Sequence, residues 1–224
     1  MPQYRHEWKH IISYSDMLIL RQRLRAVTKP DSHAVDGKYQ IRSLYFDNLS
    51  DKALREKIDV VKRREKFRIR CYNGDTSFIS FEKKSKLNGL GNKQSCLLTA
   101  DEVQKIQSGD LSWMMTSDRP LVQELYSKMH SQGLRPRTIV EYTREPFIYS
   151  AGNVRVTLDY NIRTGLGSTD FLDPDCVTLP AGDPAIILEV KWDTFLPSVI
   201  RDAIQLNDRQ VSSYSKYAAC RIYG

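Results

Sequence analysis

The stretch from Lys62 to Lys86, KRREKFRIRCYNGDTSFISFEKKSK, leaves the chain few choices. Lys66, Arg68, Arg70 and Tyr72 fall on one parity and Phe67, Ile69 and Cys71 on the other, which is the period of a β-strand. Asn73-Gly74-Asp75 reads as a turn. The returning strand sets Ser80, Glu82, Lys84 and Lys86 on one side, with Ile79 and Phe81 opposite at its start. The product is a hairpin with one charged and one largely apolar face. Cations opposite each other in a sheet repel, so the charged face calls either for bulk water or for a bound polyanion.

The same two-faced pattern returns along the chain. Arg5 to Ile12 reads as a strand with Glu7 and Lys9 on the parity of Arg5, and Ile41 to Asp47 as a second strand. Val154 to Asp159 puts Arg155, Thr157 and Asp159 on one face, and Ala185 to Lys191 puts Glu189 with Lys191. Between Pro136 and Phe147 another strand carries Arg137 and Arg144 on opposite parities, so they share a side only through a bulge. Helices are predicted from Ser15-Asp16 through Val27, from an Asn48 N-cap through Lys57, from the Thr99/Glu102 capping box to Gln107, and from Pro120 to Gly133. A last helical pattern runs from Ser198 to Tyr223, and the Gly/Asn-rich segment from Lys86 to Leu97, which holds Lys93, reads as a mobile loop.

His6-Glu7-Trp8-Lys9-His10 satisfies the H-E-x-x-H pattern of zinc proteases, but that chemistry needs a helix, where positions four apart share a face. In a strand the pattern loses its meaning. Four cysteines, Cys71, Cys96, Cys176 and Cys220, lie far apart with no CxxC pair, which disfavours a zinc knuckle or a redox motif and predicts free thiols. The 224 residues fit one domain, residues 1–224, and the net charge of +7 favours an anionic partner. With no apolar leader and no window of roughly 18 apolar residues, a cytoplasmic location is expected.

Strand after strand therefore carries both signs of charge on one face. The architecture that accounts for this is α+β: a closed antiparallel β-barrel with a charged interior and helices packed outside. Periodicity gives two faces; the inward direction of the charged one is an inference.

A set of short motifs in fixed order then resembles a known family: E-x-K (Glu7, Lys9), R-S-x-Y-F-D (Arg42 to Asp47), K-F-R-I-R-x-Y (Lys66 to Tyr72), F-E-K-K (Phe81 to Lys84), Y-x-R (Tyr142 to Arg144), V-R-V-T-L-D (Val154 to Asp159), L-E-V-K (Leu188 to Lys191) and S-x-Y-S-K-Y (Ser212 to Tyr217). Together they are similar to the vacuolar transporter chaperone (VTC) polyphosphate polymerase domain, a branch of the triphosphate tunnel metalloenzymes. The resemblance implies a tunnel that binds ATP and a divalent metal, Mn2+ or Mg2+, and passes the γ-phosphate to a growing inorganic polyphosphate chain. Carried over by motif, it implies that Arg68, Arg70, Lys84, Arg144 and Arg155 act on the phosphates. Lys9, Arg42, Lys86, Lys93, Lys191, Ser215 and Lys216 would bind substrate, and Glu189, Glu7 and Glu82 would bind metal. Its partners are then ATP and polyphosphate or pyrophosphate, with a separate membrane protein for any coupling to translocation and no nucleic acid.

Phosphoryl transfer suits this residue set, because it needs positioning and charge neutralisation and no nucleophilic side chain. Relatives that hydrolyse triphosphates tend to open with E-x-E-x-K, whereas Arg5 stands at the first glutamate's place here, which favours the polymerase branch over a tunnel triphosphatase. A non-catalytic polyphosphate- or nucleic-acid-binding module is the reading from a different class. Glu7, Glu82 and Glu189, on the same faces as the cations, speak against it.

Overall fold

The computed structural model describes residues 5–87, 90–206 and 211–222. In chain order the elements are β1 (His6–Ile12), α1 (Tyr14–Val27), β2 (Lys29–Pro30), β3 (Tyr39–Asp47), α2 (Lys52–Ile58), β4 (Arg63–Tyr72), β5 (Asp75–Leu87), β6 (Leu90–Leu98), α3 (Ala100–Ser108), α4 (Pro120–Gln132), β7 (Arg135–Tyr149), β8 (Val154–Thr164), β9 (Leu179–Pro180), β10 (Ile186–Trp192), α5 (Ser198–Ala203) and α6 (Lys216–Ile222). The class is α+β, and the strands form one antiparallel sheet in the order β1-β10-β8-β7-β3-β4-β5-β6, with β2 and β9 as short additions.

The β4–β5 hairpin forms where the alternation placed it. Asn73 and Gly74 both take positive φ, 52° and 72°, the backbone that a two-residue hairpin turn of matching twist requires. The segment expected as a mobile loop is instead β6, paired with β5 from Leu87↔Leu90 to Ile79↔Leu98; Asn88 and Gly89 lie outside the described residues. The Gly/Asn content that argued for a loop is tolerated because the long edge of β5 supplies hydrogen-bond partners along the whole segment. At the N-terminal helix the cap is Ser13, two residues earlier than expected, and it forms a capping box with Asp16. Asp51 takes the N-cap position of α2, while the Asn48 side chain accepts from the N–H of Lys52 at 3.0 Å. Thr99 and Gly133 bound α3 and α4 as the sequence predicts. The last helical pattern resolves into two short helices, α5 and α6, with residues 207–210 and Tyr223 outside the described residues.

Register shifts at Tyr45/Phe46 in β3, at Arg70/Tyr72 in β4 and at Glu141/Thr143 in β7 curl the sheet. The first of these leaves Arg137 unpaired in a bulge, from which it reaches Asp51 at 3.7 Å, while Arg144 stays on the charged side. The curl brings the two edge strands together. A single bridge, Arg5↔Gly91, joins the β1 edge to β6, and Lys86 of β5 lies 3.7 Å from Glu7 of β1. The expected closed barrel is thus a curled sheet whose edges touch at one bridge among the described residues, with no continuous β1–β6 ladder. Ser212 N–H donates to Lys9 C=O at 2.6 Å, so the C-terminal segment occupies part of the β1 edge.

Apolar residues on the convex side build two cores. Phe46, Phe67, Ile69, Ile79 and Phe81 pack on Val103 and Ile106 of α3 and on Leu121, Val122 and Leu125 of α4. Val156, Leu158, Leu188 and Val190 pack on Met17, Leu20 and Leu24 of α1 and on Ile200 of α5. A third cluster lies on the concave side, where Tyr39, Ile41, Tyr45, Tyr142 and Ile187 meet Tyr217 and Cys220 of α6. The charged residues line the rest of that concave face.

Candidate active site

Three strands form one wall. Lys66, Lys84 and Lys93 stand in a row across β4, β5 and β6, and the next row is Arg68, Glu82 and Ser95. Arg68 donates Nε to Glu82 Oε2 at 2.7 Å, a second bond from Nη2 to the same oxygen, and Nη1 to Tyr45 Oη at 2.9 Å. Arg70 donates to Ser43 Oγ and to Tyr142 Oη, both at 3.0 Å. Burial raises the pKa of Glu82, but Arg68, Arg70, Lys93 and Lys84 outweigh it and hold this carboxyl far below its usual range. The lysines go the other way. Burial, together with the charges of Lys191 and Arg68, takes Lys84 well below an ordinary lysine, and burial takes Lys66 down to about 8. The wall thus holds more positive charge than it can neutralise.

The opposite wall is β1, β10 and β8. Lys9 sits 3.1 Å from Glu189 and 3.5 Å from Glu7, and Lys191 sits 3.6 Å from Glu7 and also pairs with Glu189. Two carboxylates are therefore bridged by two ammonium groups. Burial would push both carboxyls up, but the lysines win and both are lowered, Glu189 strongly. Thr157 lies opposite Glu189 in the register; its hydroxyl is buried and has no hydrogen-bond partner. Arg155 reaches Asp31 at 3.1 Å, and its Nε is buried without a partner.

Between the walls, Arg144 donates to both oxygens of Asp159 at 2.7 Å, and Lys216 of α6 reaches the same carboxylate at 2.6 Å. Asp159 has no exposed surface. Burial raises its pKa, and Arg144 with Lys216 bring it down to about 2. The Tyr142 ring lies beneath three cations, 5.8 Å from Arg70, 5.4 Å from Arg144 and 4.6 Å from Lys216. Just before α6, Ser215 Oγ accepts from the N–H of Ala218 at 3.3 Å.

The structure brings Lys9, Arg68, Arg70, Lys84, Lys86, Lys93, Arg144, Arg155, Lys191 and Lys216 onto one concave face together with Glu7, Glu82 and Glu189. It leaves Arg42 out. Arg42 has the opposite parity from Ser43 and pairs through Nε with Glu141 at 2.6 Å, and its Nη1 binds the carbonyls of Phe171 and Asp173. It therefore fastens a surface loop. Glu82 belongs to Arg68 and Lys93, separate from the Glu7–Glu189 pair. The alternation places Lys66 and Asp159 on the charged face but gives them no role, and Tyr45 and Tyr142 are not read as lining groups at all. The parity of Lys66 with Arg68 and of Asp159 with Arg155 carried that information, whereas the tyrosines carry no charge to flag them. His6 and His10 lie on the other face of strand β1, His6 stacked on Trp192 at 5.2 Å, so the H-E-x-x-H spacing gathers nothing.

The model of the VTC domain family matches residues 4–222. No curated relative matches the sequence. Among solved structures, the chain is similar to a candidate adenylate cyclase from Bacillus halodurans at 13% identity and a TM-score of 0.49, over 84% of this chain and 80% of that one. It is also similar to a protein from Pyrococcus horikoshii at 11% identity and a TM-score of 0.49, over 95% and 96% of the two chains.

Proposed function

Because the chain belongs to the VTC domain family, we propose that it is a polyphosphate polymerase that transfers the γ-phosphate of ATP to a growing inorganic polyphosphate chain on the concave face of its curled sheet. The observation that carries this reading is the row Lys66, Lys84, Lys93 beside Arg68 and Arg70. Among the described residues these five cations on three adjacent strands have one carboxylate, Glu82, at ion-pair distance, and a linear polyanion relieves their mutual repulsion.

The roles follow from the charges. Arg68 is oriented by Glu82 and Tyr45, and among the described residues Lys66 and Lys84 make no close ion pair, so they are available to phosphate oxygens. Arg70 and Arg144, held over the Tyr142 ring, have their planes fixed before substrate arrives, so less rotamer entropy is lost on binding. In this reading Lys9, Lys191 and Lys86 turn from Glu7 and Glu189 to phosphate as the chain enters, and the two carboxylates are released. Arg155, Lys216 and Ser215 complete the lining.

Released in this way, Glu189 and Glu7 fit a small hard cation. Two carboxylates with substrate oxygens and water form the donor set by which Mg2+ is usually held, and the unpartnered Thr157 hydroxyl faces Glu189. Mn2+ or Mg2+ held there would supply charge neutralisation to the transferring phosphoryl group. The acceptor is already an oxyanion, so the chain's own work is to hold donor and acceptor phosphates in line and exclude water.

The test is incubation of the purified protein with ATP and Mn2+, with products resolved on a polyphosphate gel. Long polymer is expected from the native chain and not from Arg68→Ala or Glu189→Ala. Phosphate release without polymer would identify a triphosphatase, and binding without turnover a non-catalytic module.

A further inference from the structure

Two tyrosines on the concave face accept from a buried arginine, Tyr142 from Arg70 and Tyr45 from Arg68, and of the two it is Tyr45 that also has Lys66 over its ring, at 5.4 Å. Its Oη accepts from Arg68 Nη1 at 2.9 Å, and its own proton has no acceptor among the described residues. The side chain is 3% exposed. Tyr217, by contrast, donates to Asp47 Oδ2 at 2.6 Å. A buried phenol in that position is an unspent donor or, without its proton, a counter-ion.

The surroundings on every side favour the second state. From β4, Lys66 lies 5.4 Å and Arg68 5.8 Å from the ring, and Arg70 follows one row along. From β5, Glu82 is already committed to Arg68, and Lys84 adds charge behind Lys66. β7 contributes Thr138 opposite Tyr45 in the register and Tyr142, which itself accepts from Arg70. α6 contributes the Tyr217 ring, stacked at 5.0 Å, whose hydroxyl is spent on Asp47. α2 packs Ala53 and Leu54 against this cluster, and Lys9 and Glu7 of β1 act at longer range on Lys66.

We propose that Tyr45 is the resident anion of the site without substrate, a phenolate that partners Arg68 and Lys66, and that it takes up one proton from solvent when a phosphate chain binds and keeps it, as a phenol that donates a hydrogen bond to a phosphate oxygen. This rests on the reading of the concave face as a phosphate-chain site and adds a specificity device to it. Burial opposes the phenolate, but Arg68, Lys66 and Arg70 outweigh it and bring the Tyr45 pKa down to about 7. An incoming polyphosphate replaces the phenolate as the partner of these cations, and repulsion between phosphate and phenolate then favours the protonated form. An anion too short to reach Arg68 and Lys66 would leave the phenolate in place, so the exchange rewards longer phosphate chains.

The experiment is an ultraviolet difference titration of the native protein with and without saturating inorganic tripolyphosphate, followed by calorimetry of the same binding in buffers of different ionisation enthalpy. The expected result is about one phenolate per chain titrating near neutral pH, where ordinary tyrosines, with pKa about 10, are silent. That signal should vanish on addition of tripolyphosphate, and proton uptake at about pH 8 should exceed that of Tyr45→Phe by about one proton. Tyr142→Phe, Tyr72→Phe and Tyr217→Phe should each keep the phenolate, which excludes the tyrosines around Tyr45 even if Tyr45→Phe fails to fold. Tripolyphosphate binding with no phenolate, or with a phenolate that binding leaves unchanged, overturns the proposal and spares the polymerase reading. Absence of tripolyphosphate binding overturns both.

Discussion

Lys66 of β4 and Lys84 of β5 stand directly opposite each other on the concave face, and among the described residues neither forms an ion pair with a carboxylate, the carboxylate of the next row, Glu82, being paired with Arg68. Lys93 of β6 continues the row. A sheet gains nothing from such a pair, since like charges opposite each other are destabilising. The arrangement makes sense as stability given up to hold an anion.

That trade is open to test with Lys84→Met, which keeps the unbranched stem as far as the ε carbon and removes the charge. The empty variant should melt higher than the native protein and bind tripolyphosphate at least about tenfold more weakly, a loss of roughly 1.4 kcal/mol. Thermal scans with and without tripolyphosphate measure both effects. A lower melting temperature in the empty variant would show that Lys84 contributes to the fold.

The lysine row also fixes a pH dependence. Lys66 has its pKa lowered from 10.5 to about 8 in the folded protein, so the unfolded chain binds this proton more tightly. Its destabilising effect is fully present below about 8 and fades as the pH rises toward the unfolded value of about 10.4. Denaturant midpoints of the empty protein should therefore gain a contribution from Lys66 across that window. In Lys66→Met the rise should be shallower.

Asp159 joins the sheet to α6 through Arg144 and Lys216. Asp159→Asn leaves two cations beside a neutral amide in a buried place, and loss of one partner of a buried ion pair costs roughly 3–5 kcal/mol. Reduced thermal stability should come with earlier proteolytic cleavage near Lys216 than elsewhere in the chain. Uniform cleavage would mean that α6 is held by its apolar contacts, Tyr217 and Cys220.

Arg42 and Arg70 differ by location, and their alanine variants should differ accordingly. Arg70→Ala removes a charged donor from the concave face, and a loss of about 100-fold or more in polymer synthesis is expected. Arg42→Ala releases the Phe171–Pro174 loop and Glu141 on the other face, so stability should fall while activity of the folded fraction is kept. Rates normalised to folded protein decide between them.

Much of this molecule was written in its local pattern. The period-two alternation from Lys66 to Tyr72, the Asn73-Gly74 turn and the Thr99/Glu102 box fixed their elements because each depends on side chains a few residues apart. The same alternation put Glu189 with Lys191 and Arg155 with Asp159 before any partner was known. Tertiary structure decided the remainder. Strand β6 exists because β5 offers it an edge, against a composition that reads as loop. Arg42 and Arg70 look alike as arginines in strands, and only the curl of the sheet, which brings Lys86 to Glu7 and Arg5 to Gly91, determines which face is concave. Tyr45 gains its role from Arg68, Lys66 and Tyr217 meeting around it, contacts that span up to 172 residues of chain (217 − 45) and leave no trace in spacing. Periodicity assigns a residue to a face, but the long-range pairing of strands decides what that face encloses.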